Sequence, residues 1–132
     1  MKILLVDDDD ALRGFLAREL EARGFEAVQT HFGDGGLHLY QKSGPWEFVL
    51  SDFRFIPGPR IKDGTQLLAA IHRINPFQQM AMMTADPKEA RGKLPQVLQH
   101  IPVLRKPFQL EQVLRLLQQH VLPSRREWGT NF

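Results

Sequence analysis

The sequence predicts a single α/β domain in which short parallel strands alternate with helices. Residues 3–6, 48–51 and 80–83 are continuous apolar or small-residue runs, which are typical of strands covered on both faces. The segments between such runs carry apolar residues at helical spacing, as at Leu12 and Leu16. Five repeats of this alternation predict a doubly wound parallel sheet with right-handed crossovers.

Composition narrows the class of protein. The chain has 132 residues and no cysteine, which fits one domain and excludes disulfides and a thiolate zinc site. Its basic residues are concentrated in residues 53–132 but dispersed there, with no nucleic-acid-binding signature, so we expect no direct nucleic acid binding. The sequence shows neither a signal peptide nor a membrane span, and we expect a cytoplasmic protein.

The first half of the chain predicts three strands and two helices. Strands are predicted over residues 3–6, 25–29 and 46–51, and helices over residues 12–23 and 33–42. Gly24 marks the end of the first helix. The second helix is weakly specified, because Gly33, Gly35 and Gly36 disfavour its first turn.

The second half predicts two strands and three helices after a long loop. Residues 53–63 contain Pro57, Gly58 and Pro59, which exclude regular structure there. Helices are then predicted over residues 64–75, 88–98 and 110–121, and strands over 80–83 and 101–104. Gly92 and Pro95 predict that the helix at 88–98 is short, kinked or mobile. We expect one domain over residues 1–122 and a C-terminal tail over residues 123–132.

Chemically informative residues follow four of the strands. They are Asp7 and Asp8, Asp52, Thr84, and Lys106. The carboxyl ends of parallel strands meet at one edge of a sheet, where ligands gather. Three carboxylates at one edge require a cation, and oxygen ligands of this kind suit Mg²⁺. An aspartate beside Mg²⁺, an ammonium and a hydroxyl is equipped to attack a phosphoryl group, which would give an aspartyl phosphate.

Some of these residues, and the two aspartates that follow Asp8, also have a structural interpretation. Asp9 and Asp10 are better explained as a helix N-cap and a first-turn acid than as ligands. Thr84 alone would be an ordinary strand-end residue, and Lys106 alone an ordinary surface lysine. The Lys106-Pro107 step, however, restricts the backbone directly after a buried strand, which a cis bond would explain.

Taken together, these residues resemble the receiver domain of two-component response regulators, the CheY-like family. The resemblance runs from Lys2 to about Val121. It rests on the following pieces, each placed after a strand: Leu-Val-Asp7-Asp8-Asp, Ser-Asp52, Met-Thr84-Ala85 and Lys106-Pro107-Phe108. It implies a flavodoxin-like sheet of strand order 2-1-3-4-5.

The resemblance also implies roles for residues at the site. Asp52 would be the phosphoacceptor, Asp7, Asp8 and the backbone carbonyl of Arg54 would join it in binding Mg²⁺ or Mn²⁺, and Thr84 and Lys106 would contact the phosphoryl group. Ala85, Asp86 and Val103 would modulate the reaction or its output. The implied partners are a histidine kinase or phosphotransfer protein and a downstream effector protein, and a phosphorylation-dependent dimer is a further expectation. Such a domain catalyses its own phosphoryl transfer and autodephosphorylation and is not a dedicated enzyme.

The chain departs from the family pattern at three places. The loop after Asp52 carries an insertion, so that Gly64 arrives about four residues late, and this insertion is either a tolerated surface feature or a lid or partner contact. Val103 stands where the family usually has Tyr or Phe. Arg54 and Asp86 occupy positions that flank the route of the attacking water in this family. We predict that they pair across the site and shield the phosphoryl group, with the equal alternative that Arg54 reaches into the acidic pocket before a metal binds. The loop insertion, Val103 and the broken fourth helix leave open an alternative function, a phosphate-independent interaction module of the pseudo-receiver type.

Overall fold

Five strands form one parallel sheet in a computed structural model that describes residues 1–121. The strand order is β2-β1-β3-β4-β5, as the resemblance implied. The strands are β1 Lys2–Val6, β2 Glu26–Thr30, β3 Phe48–Asp52, β4 Met80–Thr84 and β5 Val103–Arg105. The predicted fold class is therefore confirmed, while the predicted tail over residues 123–132 lies outside the described part of the chain.

Helices cover both faces of this sheet. They are α1 Asp10–Glu21, α2 Gly33–Ser43, α3 Gly64–Ile74, α4 Pro87–Lys93 and α5 Leu110–Val121, and a 3₁₀ turn follows α4 at Gln96–Leu98. Apolar residues of α1 and α5 form one hydrophobic cluster with the sheet, and those of α2, α3 and α4 form the other. In β1, Ile3 and Leu5 face the first cluster while Leu4 and Val6 face the second. The strand is apolar throughout because both of its faces are buried.

The ends of several elements differ from the sequence prediction. β3 begins at Phe48 and includes Asp52, where the apolar run predicted residues 46–51. β5 begins two residues later than predicted, at Val103, and β2 begins one residue later, at Glu26. Apolar residues such as Ile101 and Phe25 are buried just outside the strands, so apolar character alone does not show where strand pairing begins.

The fourth helix is short, as Gly92 and Pro95 predicted. It ends at Lys93, and Leu94 has an extended backbone with φ −70° and ψ 136°. The residue before a proline disfavours the helical conformation, so Pro95 accounts for this ending. The prediction of a helix up to residue 98 is wrong at its C-terminal end, where a 3₁₀ turn at Gln96–Leu98 replaces it.

The N-terminal turn of α1 shows the predicted use of two acids. The side chain of Asp9 accepts a hydrogen bond from the backbone N–H of Leu12, and Asp10 lies in the first turn. Asp9 is thus the N-cap, and Asp10 has a favourable position at the positive end of the helix dipole. Both structural interpretations are confirmed.

Candidate functional site

The carboxyl ends of the central strands bring the predicted site residues to one edge of the sheet. Asp52 is the last residue of β3, and Thr84 is the last residue of β4. Asp7 follows β1 directly, and Lys106 follows β5. A cavity of about 220 Å³ opens at this edge. It is lined by Asp52, Arg54, Thr84, Ala85, Asp86 and Lys106.

An ammonium group joins two buried carboxylates at the floor of this site. The Nζ atom of Lys106 lies 2.9 Å from Oδ2 of Asp7 and 3.3 Å from Oδ1 of Asp52. The Asp7 side chain is 1% exposed and that of Asp52 is 8% exposed. The backbone at Lys106 is held as well, because its N–H donates to the carbonyl oxygen of Thr84. The Lys106-Pro107 bond is cis, as expected.

This arrangement changes the acid–base properties of the site. Burial, reinforced by the charge of Asp7 and opposed by Lys106, raises the pKa of Asp52 to about 7. Burial alone would lower the pKa of Lys106, but the hydrogen bond to Asp7 and the charges of both carboxylates raise it. The lysine therefore stays charged. The two buried carboxylates together carry more negative charge than this one ammonium offsets.

The acid residues at this edge fit a divalent cation. Asp7, Asp8 and Asp52 each offer a carboxylate oxygen, and these oxygens lie within 4.8 Å of one another. Asp8 is exposed to solvent and the other two are buried. A cluster of hard oxygen ligands open to water on one side suits Mg²⁺, which keeps several of its own waters. The raised pKa of Asp52 indicates the same need for added positive charge.

The hydroxyl of Thr84 is prepared to donate a hydrogen bond into the cavity. Its Oγ1 atom accepts a hydrogen bond from the backbone N–H of Asp86 at 3.0 Å. The side chain is 4% exposed and lines the cavity together with Asp52. Because the oxygen already accepts from the backbone, its proton remains for an anionic group in the cavity.

Arg54 does not pair with Asp86, and this prediction is wrong. The guanidinium of Arg54 forms an ion pair with Glu89 of α4 instead. Asp86 is the N-cap of α4, where its carboxylate accepts from the backbone N–H of Glu89 at 3.1 Å. A capping role turns the Asp86 side chain towards the helix, so Arg54 meets the acid one turn further on.

Glu89 is a site neighbour that sequence reasoning missed. It lies three residues after Asp86, which is the spacing of a helix-capping pair. That spacing could have directed attention to it as the first-turn acid of α4.

Val103 lies where expected on β5, beside Met82 of β4, and is half-buried. The site therefore has no aromatic ring at the position of Val103.

Relatives in sequence include a response regulator receiver protein and a transcriptional regulatory protein. No family model matches the chain. It is 28% identical over 125 residues to the response regulator receiver protein CpdR of Brucella abortus (strain 2308), covering 93% of this chain and 98% of CpdR. It is 32% identical over 83 residues to the transcriptional regulatory protein GlrR of Escherichia coli (strain K12), covering 63% of this chain. The matched part is only 18% of GlrR.

Solved structures show the same fold. The response regulator receiver protein from Sinorhizobium medicae WSM419 superimposes with a TM-score of 0.80 at 22% identity. That match covers 93% of this chain and 95% of the solved chain. Fold and sequence likeness thus point to the same class of domain as the residues after the four strands do. Within residues 1–121, no helix has the length and apolar character needed to cross a membrane.

Proposed function

We propose that this chain, a receiver domain by its fold and its sequence relatives, accepts a phosphoryl group on Asp52 and passes the change to a partner protein. The observation that carries the proposal is the position of Lys106. Its ammonium lies 3.3 Å from Asp52 and 2.9 Å from Asp7 at the edge of a cavity that Thr84 also lines. A carboxylate, an ammonium and a hydroxyl in this arrangement match the needs of phosphoryl transfer.

Asp52 would act as the nucleophile. One of its carboxylate oxygens attacks phosphorus, the bond between phosphorus and the donor breaks, and the donor atom keeps the electron pair of that bond. Lys106 lies beside the attacking carboxylate and would stabilise the charge on the phosphoryl oxygens, while the Thr84 hydroxyl donates to another of them. Hydrolysis of the aspartyl phosphate by water would restore the carboxylate.

A divalent cation would complete the site. Asp7, Asp8 and Asp52 would hold Mg²⁺ or Mn²⁺ with the backbone carbonyl of Arg54, as the family resemblance implies. When bound, such a cation supplies the positive charge that offsets the phosphoryl oxygens during transfer. Lys106 would hold one of these carboxylates in place, since its Nζ atom donates a hydrogen bond to Oδ2 of Asp7 at 2.9 Å.

Partner proteins would meet the chain at the same edge. A mainly apolar cavity of about 440 Å³ adjoins the acceptor cavity and shares Ala85 and Lys106 with it. A histidine kinase or phosphotransfer protein could dock there and present its phosphoryl group, and a downstream effector would read the altered surface. We place this exchange in the cytoplasm, with residues 1–122 as the signalling domain and the phosphorylated chain free to dimerise.

Intact mass measurement tests the proposal. The protein would be incubated with Mg²⁺ and a small-molecule phosphodonor, with Asp52→Asn as the isosteric control. We expect one phosphoryl adduct on the wild-type chain, which does not form when a chelator is present during the incubation and is absent from Asp52→Asn. If no adduct forms when the donor labels another receiver and a kinase also fails, the phosphate-independent interaction module becomes the better explanation.

A further inference from the structure

Arg54 joins the acceptor cavity to helix α4. The residue lines the cavity, and its guanidinium forms the ion pair with Glu89. The guanidinium carbon also lies 5.1 Å from the centre of the buried Phe53 ring. The side chain is 65% exposed, so it has room to move. Arg54 therefore lies near two carboxylates, that of Asp52 in the cavity and that of Glu89 on α4.

Glu89 depends on this ion pair. Its Oε1 atom, the one that contacts Arg54, is shut off from solvent and accepts no hydrogen bond from elsewhere in residues 1–121. The Glu89 side chain as a whole is 36% exposed, so water or another cation would have to replace Arg54 at this oxygen if the guanidinium moved away. The ion pair thus ties the loop after β3 to α4, and its loss would release that tie.

Another cation is close at hand. Lys93 lies four residues after Glu89 on α4, which places the two side chains on the same face of the helix. Its Nζ atom lies 5.7 Å from the centre of the same Phe53 ring that Arg54 covers. In the described part of the chain, Lys93 makes no ion pair of its own. Glu89 therefore has two cations within reach and uses only Arg54.

We propose that Arg54 is a phosphoryl-binding residue that Glu89 withholds from the cavity until Asp52 is phosphorylated. The phosphoryl group then draws the guanidinium into the cavity, and Lys93 replaces it at Glu89. No covalent bond changes in this step, in which one ion pair is exchanged for two others. The proposal rests on the proposed function and adds a ligand for the phosphoryl group and a route to α4.

Electrostatics favours this exchange. A phosphoryl group carries up to two negative charges and three acceptor oxygens, whereas Glu89 carries one charge. The planar guanidinium binds phosphoryl oxygens in pairs, which an ammonium cannot do. Helix α4 has only seven residues, and Ala90 is its one buried residue, so a small movement of the helix disturbs little packing.

The half-life of the phosphorylated protein tests the pair in a double-mutant cycle. Glu89→Gln frees Arg54 for the phosphoryl group, and we expect the half-life to lengthen by about threefold, in keeping with an exposed ion pair. Arg54→Ala removes the guanidinium that would bind the phosphoryl group and keep water from it, and we expect the half-life to shorten by about threefold. The double variant should match Arg54→Ala. Arg60→Ala, an arginine of the same loop that does not line the cavity, is the matched control and should leave the half-life unchanged.

Amide hydrogen exchange tests the route to the helix. Phosphorylation should increase exchange across α4 in the wild-type protein and leave it unchanged in Arg54→Ala. The proposal is overturned if Glu89→Gln changes the half-life equally with and without Arg54, or if α4 responds to phosphorylation without Arg54. A mass adduct on Asp52 in every variant separates this failure from failure of the proposed function, which would show as no adduct at all.

Discussion

Two segments border the cavity at Asp52, and they are held in place very differently. The loop of residues 53–63 has no regular structure, yet Phe55 and Ile61 are buried in the core. The segment after β4 begins with a regular helix, but α4 buries only Ala90. Regular secondary structure therefore does not predict how strongly each segment resists local unfolding. The stability of a segment against local unfolding depends on how many of its side chains are buried and how many of its backbone groups are hydrogen-bonded.

The loop is fastened to the start of α2. The carboxylate of Asp34 accepts hydrogen bonds from the backbone N–H groups of Arg60 and Ile61, at 3.1 and 2.9 Å. Gly33 allows the close approach, because a Cβ atom there would lie 2.3 Å from the Ile61 side chain and 2.7 Å from that of Phe55. The glycine that weakened the predicted helix is thus needed for packing. The inserted loop forms part of the core, and its function as a lid or partner contact stays a prediction.

The largest effect should come from removing the buried anchor of the loop. We expect Phe55→Ala to lower the free energy of unfolding by about 3–5 kcal/mol, because it leaves a cavity where the ring meets α2. Chemical denaturation would measure this. Ile56→Ala is the control, since Ile56 is 63% exposed and should change stability by less than about 0.5 kcal/mol. Equal effects for the two variants would contradict the described packing.

A smaller effect should follow from releasing the backbone of the loop. Asp34→Ala leaves two backbone N–H groups without their acceptor, and we expect a loss of about 1–3 kcal/mol in the same measurement. Asp34→Asn keeps one acceptor oxygen and should recover part of the loss. An alanine variant as stable as the wild type would show that the loop does not need this anchor.

The pH dependence of the free energy of unfolding should report on the Asp52 carboxyl group, which lies at the cavity that both segments border. The pKa of Asp52 is raised to about 7 in the folded protein, above its unfolded value, so protonated Asp52 favours the folded state. In the absence of Mg²⁺, its contribution to the free energy of unfolding is fully present below about pH 4 and is lost as the pH rises to about 7. Denaturation of the wild type and of Asp52→Asn across this range measures it. The difference between the two proteins should change with pH, and a constant difference would contradict the raised pKa.

The smallest effect should come from α4. Glu89→Gln removes the charge of a partly exposed ion pair, and we expect a loss of at most about 1 kcal/mol in unfolding free energy. Amide exchange sharpens the comparison, because the N–H of Ile61 should exchange more slowly than those of α4 in the unphosphorylated protein. Slower exchange in α4 than at Ile61 would contradict the comparison, because α4 would then be more stable against local opening than the loop.

Much of this protein follows from the sequence alone. The five-fold alternation predicts the parallel sheet, and the residues directly after the strands predict the site, because parallel topology brings strand ends together whatever the loops do. Asp7, Asp52, Thr84 and Lys106 meet for this reason. Caps such as Asp9 are equally readable, since their partners lie three residues away in the chain.

Only the tertiary structure decided which residues meet across longer separations. The pairing of Arg54 with Glu89, and not with Asp86, depends on how α4 begins. The hydrogen bonds from the loop to Asp34 link residues 26 and 27 positions apart. Local periodicity carries no information about such contacts, because they are set by the distances between elements after packing. The sequence therefore determined the site, and the packing of the two bordering segments determined how that site is connected to the surface.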